Sequence, residues 1–264
     1  MKIIVLSENT TKNSKVTPEF GLSLYIECGT KRILFDSGMS DNFARNAEKL
    51  GIDLSQIDIA VLSHGHYDHA DGFKTFLELN DHAPIYARAG YDGNYYNAAH
   101  NYIGIANELK GNNRFISVND RCELGEGITL LSYSGAQSLH PVNSSGLLRD
   151  SDGELLPDDF SHEHYLLAHE GDTRLLVTGC GHKGIANIMN WTRSEKVTHV
   201  VGGFHLVGTK PENFGSLNSL AQELLSYGVD YRTCHCTGIE QYAYLKARMG
   251  DKISYLSTGQ IAEF

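Results

Sequence analysis

The chain is poor in proline (five residues), carries one tryptophan, and has only five cysteines in 264 residues: Cys28, Cys122, Cys180, Cys234 and Cys236. An odd, widely spaced set does not make a disulfide framework, and a chain of this length can bury roughly 70–75% of its unfolded surface without covalent staples. Long apolar runs are also missing. None approaches the roughly 18–20 residues of a membrane span, and the opening MKIIVLSENT reads as a short strand with no signal-peptide cleavage pattern, so a cytoplasmic protein with no membrane partner is expected. Basic charge is in deficit, with 22 Lys and Arg against 32 Asp and Glu and a formal charge of −10. Nucleic-acid binding through overall charge is therefore not expected, since phosphate neutralisation needs a clustered basic face. With 41% apolar and 20% charged residues, disorder and coiled coil are excluded. In excess are histidines, 13 of them, in no tag or tract.

Read along the chain, 2–6, 22–27, 32–36 and 57–63 are short, β-rich, turn-bounded runs that predict strands. SDNFARNAEKL puts Phe43, Ala47 and Leu50 on one helical face behind a Ser or Asp cap. Residues 90–163 are rich in Gly, Asn, Asp, Ser and Tyr and read as an elaborated connection, with a helix across 94–109 and strands near 114–118 and 128–133. From 164 the alternation becomes regular: strands at 164–169 and 174–178, helix 184–192, strand 198–202, helix 212–227, strand 230–234, helix 239–248 and strand 253–257. That is an α/β (α+β) layer pattern in which helices cover sheet faces. No linker or repeat divides it, so a single domain spanning 1–264 is expected.

The chemistry-bearing segment follows the apolar run IDIAVLS. HGHYDHADG places His64, His66, Asp68 and His69 within six residues, ahead of the helical pattern GFKTFLEL. Alternate residues of an extended segment point the same way, so His64 and His66 can share one metal while Asp68 and His69 continue into the turn and face a second. Without a cation, four potential ligands packed this closely would crowd and compete for solvation. Imidazole and carboxylate donors suit zinc, with iron or manganese as alternatives.

This H-x-H-x-D-H pattern resembles the signature of the metallo-β-lactamase superfamily. The resemblance implies a four-layer αββα sandwich with two divalent metal ions at one edge of its sheets. LFDSG (34–38) is similar to the superfamily's first motif, which would make Asp36 a residue that steadies the ligand turn. FGLSLYIE (20–27), LLVTGCGHKGI (175–185), VVGGFHL (200–206) and TCHCTG (233–238) resemble one subgroup, the dihydropterin-ribofuranosylaminobenzene-phosphate synthases. His235 stands where the superfamily places its last histidine and is expected as a ligand. The bridging Asp of the superfamily aligns with Cys180, which is either a thiolate ligand or a small buried residue. His182 is expected to supply the histidine normally drawn from mid-chain, because His140, His162 and His164 all lack the Gly-His-Thr context. His205 follows a strand and points to the same edge, as an acid/base or substrate-facing group, a ligand or a structural residue. Cys234 and Cys236 flank His235 on what reads as an extended segment, and their side chains are expected to face away from it.

Two metals roughly 3.5–4 Å apart can lower the pKa of a shared water towards 7, which makes hydroxide the expected nucleophile and Asp68 the group that orients it and takes its proton. Neither G-x-S-x-G nor a phosphate-binding G-x-x-x-x-G-K-[ST] competes. The reading is hydrolysis of a small, possibly phosphorylated, ester, phosphodiester, lactone or thioester. The subgroup resemblance implies an alternative, a transferase joining a pterin to an aminobenzene ribosyl phosphate. Tyr91, Tyr95, Tyr96 and Tyr102 would then stack on rings, and Arg88, Arg149, Lys183 and Lys210 would contact phosphate. A third reading is a di-iron sensor or redox protein, which is expected to need a flavin domain that the sequence to residue 264 does not supply.

Overall fold

A computed structural model of the protein describes residues 1–133 and 135–264. In chain order the first half holds β1 (Lys2–Ser7), β2 (Ser23–Cys28), β3 (Lys31–Phe35), α1 (Asn42–Lys49), β4 (Ile59–Leu62), α2 (Tyr67–Ala70), α3 (Phe73–Leu79) and β5 (Ile85–Arg88). The middle holds β6 (Tyr95–Tyr96), β7 (Phe115–Val118), β8 (Arg121–Gly125), β9 (Ile128–Leu131), β10 (Leu148–Ser151) and β11 (Glu154–Pro157). The last part runs β12 (Tyr165–Glu170), β13 (Thr173–Val177), α4 (Ile185–Trp191), β14 (His199–Gly202), α5 (Gly215–Ser226), β15 (Asp230–Thr233), α6 (Ile239–Met249), β16 (Ile253–Tyr255) and β17 (Ile261–Glu263).

Two seven-stranded sheets form, in the orders β17-β1-β2-β3-β4-β5-β7 and β16-β15-β14-β13-β12-β9-β8. Their central strands are apolar on both faces, and the period of two sends alternate residues into different layers. Leu24, Ile26, Ile33, Phe35, Ile59 and Val61 of the first sheet meet Leu166, Ala168, Leu175 and Val177 of the second in one core between the sheets. The intervening Tyr25, Leu34, Ala60 and Leu62 face outward, onto Phe43 and Ala47 of α1 and Phe73 and Phe76 of α3. On the other side Tyr165, Leu176 and Val200 pack against Ile185 and Ile188 of α4, Leu217 and Leu224 of α5 and Leu245 of α6. The result is the four-layer αββα sandwich.

Strand direction positions the site. β3, β4, β5 and β7 run parallel, as do β13, β14, β15 and β16, so the carboxyl ends of each set lie at one edge, where open α/β sheets place their ligands. Asp36, the H-x-H-x-D-H turn, Cys180, His182, His205 and His235 all follow such ends. The two sheets approach closely there. A Cβ on Gly179 would stand 2.1 Å from Ser63 Oγ.

The expected helix across 94–109 is absent. Tyr95–Tyr96 is a strand bonded to β10 in a small third sheet with β11, and Asn107–Leu109 is a single 3-10 turn. Asn97 Oδ1 accepts from the amides of Ala99 and Asn101 at 2.9 and 3.0 Å, and His100 sits at φ 60°. Such side-chain-to-backbone bonds offer the chain a turn in place of a helix. Asp41 precedes α1 but its side chain makes no capping bond; Ser40 Oγ accepts from the Asn42 amide instead. Among the described residues no helix is long and apolar enough to cross a membrane.

Gly179→Ala should push Ser63 aside and cost about 1–3 kcal/mol, the usual penalty of overpacking. Urea unfolding of chelator-treated protein measures it, and an unchanged midpoint would contradict the close approach of the sheets.

Candidate metal centre

The site begins where β4 ends. Gly65 lets the turn cross the connection, since a Cβ there would lie 2.2 Å from the carbonyl oxygen of Tyr91. The turn is held by one buried carboxylate. Asp36, at φ 58°, accepts from the Ser63 amide with Oδ1 and from Ser63 Oγ and His69 Nδ1 with Oδ2, each at 2.7 Å.

These bonds determine where the protons sit. A carboxylate only accepts, so His69 carries its proton on Nδ1. The single Ser63 hydroxyl proton goes to Asp36, so Ser63 Oγ must accept from His64 Nδ1 at 2.8 Å. His235 Nδ1 donates to Asn9 Oδ1 at 2.8 Å, an oxygen that also accepts from the Gly21 amide. In the neutral form His64, His69 and His235 therefore all present Nε2 as a lone pair.

Those lone pairs converge in two groups. His69 Nε2 and His235 Nε2 are 3.2 Å apart, and Asp68 Oδ2 lies 3.5 Å from the first and 3.3 Å from the second. His64 Nε2 lies 3.3 Å from His182 Nε2, and His66 completes this group, with all three ligating atoms within 4.8 Å of one another. Two nitrogens bound to one tetrahedral zinc stand about 3.3 Å apart. Lone pairs at such distances repel unless a cation lies between them. The donor set thus fits two divalent cations, with Asp68, His69 and His235 facing one and His64, His66 and His182 the other.

The electrostatics agree. Burial, reinforced by neighbouring imidazoles, lowers His64 and His182 well below the ordinary histidine range. Burial, with His162 beside it, lowers His66 to about 3. Asp68 is held well below the carboxylate range: burial would raise it, but His69 and the bond to His235 outweigh that. Burial would lower His69 too, yet Asp68 and Asp36 push it up to about 9. The two carboxylates beside His69 thus favour a positive charge at the second group.

The expected residues thus come together, and several expectations are corrected. His235 opens a 3-10 turn at φ 49°, so alternation fails and Cys236 turns inward, donating to the Cys180 carbonyl at 3.4 Å. Cys234 alone of that pair lies in the core between the sheets. His205, at φ 48°, stands with its ring 4.2 Å from that of His182, and burial pushes it down to about 4. Both histidines line a cleft of about 960 Å³ together with Lys183, Phe204 and Leu217. His140 is exposed and paired with Glu223, and His164 Nε2 donates to the Leu62 carbonyl at 2.8 Å. His162 is adjacent but committed: Nδ1 accepts from the Gly65 amide at 2.9 Å and Nε2 donates to Asp158 at 3.2 Å.

The four tyrosines expected to stack on rings are placed differently from one another. Tyr91 is buried and stacked on Phe115, and Tyr95 is buried against His162. Tyr96 and Tyr102 pack on each other. Of the basic residues, Arg88 pairs with Asp120, Arg149 lies against Asp159, Lys210 is exposed, and only Lys183 borders the cleft. Three supporting residues escaped the sequence reading. Asn9 orients His235, and Glu8 accepts from its amide at 3.2 Å. Glu163 accepts from the amides of His182 and Lys183 and from Tyr165 Oη. Only Glu163, set between His162 and His164, carried any local signal.

The sequence profile of the Metallo-beta-lactamase superfamily matches residues 16–197. An uncharacterized protein of Methanocaldococcus jannaschii is 30% identical over 245 residues, covering 90% of this chain and 91% of its own. The 7,8-dihydropterin-6-methyl-4-(beta-D-ribofuranosyl)-aminobenzene-5'-phosphate synthase of the same organism is 28% identical, covering 100% of this chain and 97% of its own. The crystal structure of Tm1679, a metal-dependent hydrolase of the β-lactamase superfamily, matches with a TM-score of 0.85 at 28% identity, over 100% of this chain and 99% of that one.

Asp36→Asn places an amide where His69 must donate, and zinc affinity should fall about 10–100-fold by chelator competition while the far-UV spectrum is kept. Equal affinity would remove Asp36 from its role. Because a proton on His69 competes with the cation, affinity should rise with pH until about 9 and then level, and zinc uptake at pH 7 should release protons. Calorimetry in buffers of different ionisation heat reads that release, and its absence would contradict a proton held on His69 in the metal-free centre.

Proposed function

The chain belongs to the metallo-β-lactamase superfamily, and from that membership we propose that it is a metal-dependent hydrolase of a small electrophilic substrate. Esters, phosphodiesters, lactones and thioesters are the candidates. The observation that carries this reading is the convergence of two lone-pair groups beside an open cleft of about 960 Å³. His64, His66 and His182 would hold one divalent cation and Asp68, His69 and His235 the other, zinc being preferred. Bound there, two such cations make water acidic enough to attack near neutral pH and stabilise charge developing on a substrate oxygen.

The chain's own residues supply the rest. Asp68 keeps a carboxylate at neutral pH, with Oδ2 directed at His69 and His235, and can orient a water and take its proton at a carboxylate oxygen. His205 is neutral at that pH, on the cleft wall, and can accept a proton from the reacting group and pass it to a leaving group. Phe160 stacks on His182 at 4.4 Å and keeps that flank dry.

Transfer of a pterin onto an aminobenzene ribosyl phosphate is a second reading, supported by the full-length similarity to the archaeal synthase. Hydrolysis is preferred because Tm1679, equally similar in sequence, is described as a metal-dependent hydrolase, and because two of the four tyrosines that would stack on ring substrates are buried.

Protein purified without chelator should carry about two metal ions per chain and turn over at least one class in a screen of phosphodiesters, lactones, thioesters and β-lactams. Asp68→Ala and His66→Ala should each lower kcat/KM by at least about 100-fold, and His182→Ala should lose about one metal. Full activity in either of the first two variants would reject the site. Iron with redox turnover and no hydrolysis would replace the hydrolase reading by the sensor one.

A further inference from the structure

The cleft that His182 and His205 open into has walls whose chemistry the reaction alone does not require. The start of α4, the loop after β14, α5 and the segment 140–147 bound it. α5 brings Ser216, Leu217, Leu220 and Glu223 to it, positions that share one helical face. Leu206 and Val207 come from the loop after β14. Leu206 and Leu220 are half-buried and Val207 is 57% exposed, so apolar surface is open to whatever enters. Charge is scarce by comparison. Among the described residues of the lining, Lys183 and Glu223 are the only Lys, Arg, Asp or Glu side chains. Glu223 is bonded to His140 at 2.9 Å. Lys183 is only 4% exposed, and burial lowers its pKa against the opposing pull of Glu163. A phosphate held in this cleft would need charge-assisted donors such as an arginine fork, and no arginine is among those lining residues. The formal charge of −10 does not draw anions either.

Resting on the hydrolase reading above, we propose that this cleft holds the aliphatic chain of an uncharged acyl substrate, so that the bond cleaved is a carboxylic ester, lactone or thioester and not a phosphodiester. A chain borne directly on the reacting carbonyl carbon leads from His182 and His205 onto Leu206, Val207, Leu217 and Leu220. The oxygen of water bonds to that carbon and the bond to the leaving oxygen or sulfur breaks. One water proton ends on the alcohol or thiol, and the other leaves to solvent from the acid. Each methylene buried on these walls should raise affinity about two- to fourfold.

The test has one arm without metal and one with it. Chelator-treated protein is titrated with butanamide, hexanamide, octanamide and hexyl phosphate, followed by NMR. Kd should fall about two- to fourfold per methylene along the amides, and hexyl phosphate should bind no tighter than hexanamide. Val207→Asp, at an exposed position, and Leu220→Asp should each weaken octanamide at least about fivefold. Zinc-loaded protein is then given p-nitrophenyl acetate, butyrate, hexanoate and octanoate, and kcat/KM should climb with chain length, chiefly through KM. Affinity indifferent to chain length, tighter binding of the phosphate, or a greater acceleration of p-nitrophenyl hexyl phosphate than of the hexanoate over their uncatalysed rates would overturn the acyl assignment and leave the hydrolase reading standing. Binding of the amides as expected with no ester, lactone or thioester cleaved would overturn both.

Discussion

One buried carboxylate organises the centre. Asp36 has no exposure to solvent and accepts three hydrogen bonds, from Ser63 twice and from His69. A buried charge left unpaired is costly, so its oxygens must be fully used. Using them this way protonates Nδ1 of His69 directly and Nδ1 of His64 through the Ser63 hydroxyl, and turns both Nε2 lone pairs inward. The backbone is bent to allow it. Asp36, Phe160, His205 and His235 all hold left-handed conformations, at φ 58°, 53°, 48° and 49°. Each costs about 1–3 kcal/mol and persists only because the surrounding bonds over-determine it.

The second constraint is topological. Each donor group draws on both sheets, the first from the turn after β4 and the loop after β13, the second from the same turn and the loop after β15. Neither of these two donor groups is complete on one sheet. Cations bound across the seam would couple the two sheets, and binding free energy would then contribute to folding free energy. Glu8, Asn9 and Glu163 serve the same seam by anchoring the loops that carry His235 and His182.

Much of the fold was legible because its physical cause is local. Apolar runs such as LSLYIE and IDIAVLS are buried on both faces, and the strands after residue 164 alternate with helices, as periodicity alone required. The segment 94–109 was not legible, because Asn97 bonds its own neighbours and overrides a weak helical pattern. Alternation along a strand failed at His235 for a related reason: the chain has already left the strand and entered a tight turn, so Cys236 faces inward.

Side-chain chemistry and short spacing survive without coordinates, so the candidate donor types, their crowding into one turn after an apolar strand and the neighbouring strand-end histidines were readable in the chain alone. Tertiary structure alone decided the pairing of His182 with His64 and of His235 with His69, the direction of each lone pair, and the placing of the Cys180 sulfur 3.2 Å from His69 Nε2. Those are properties of two sheets brought edge to edge. His64 and His182 are 118 residues apart and His69 and His235 are 166 apart, and no local rule spans such distances.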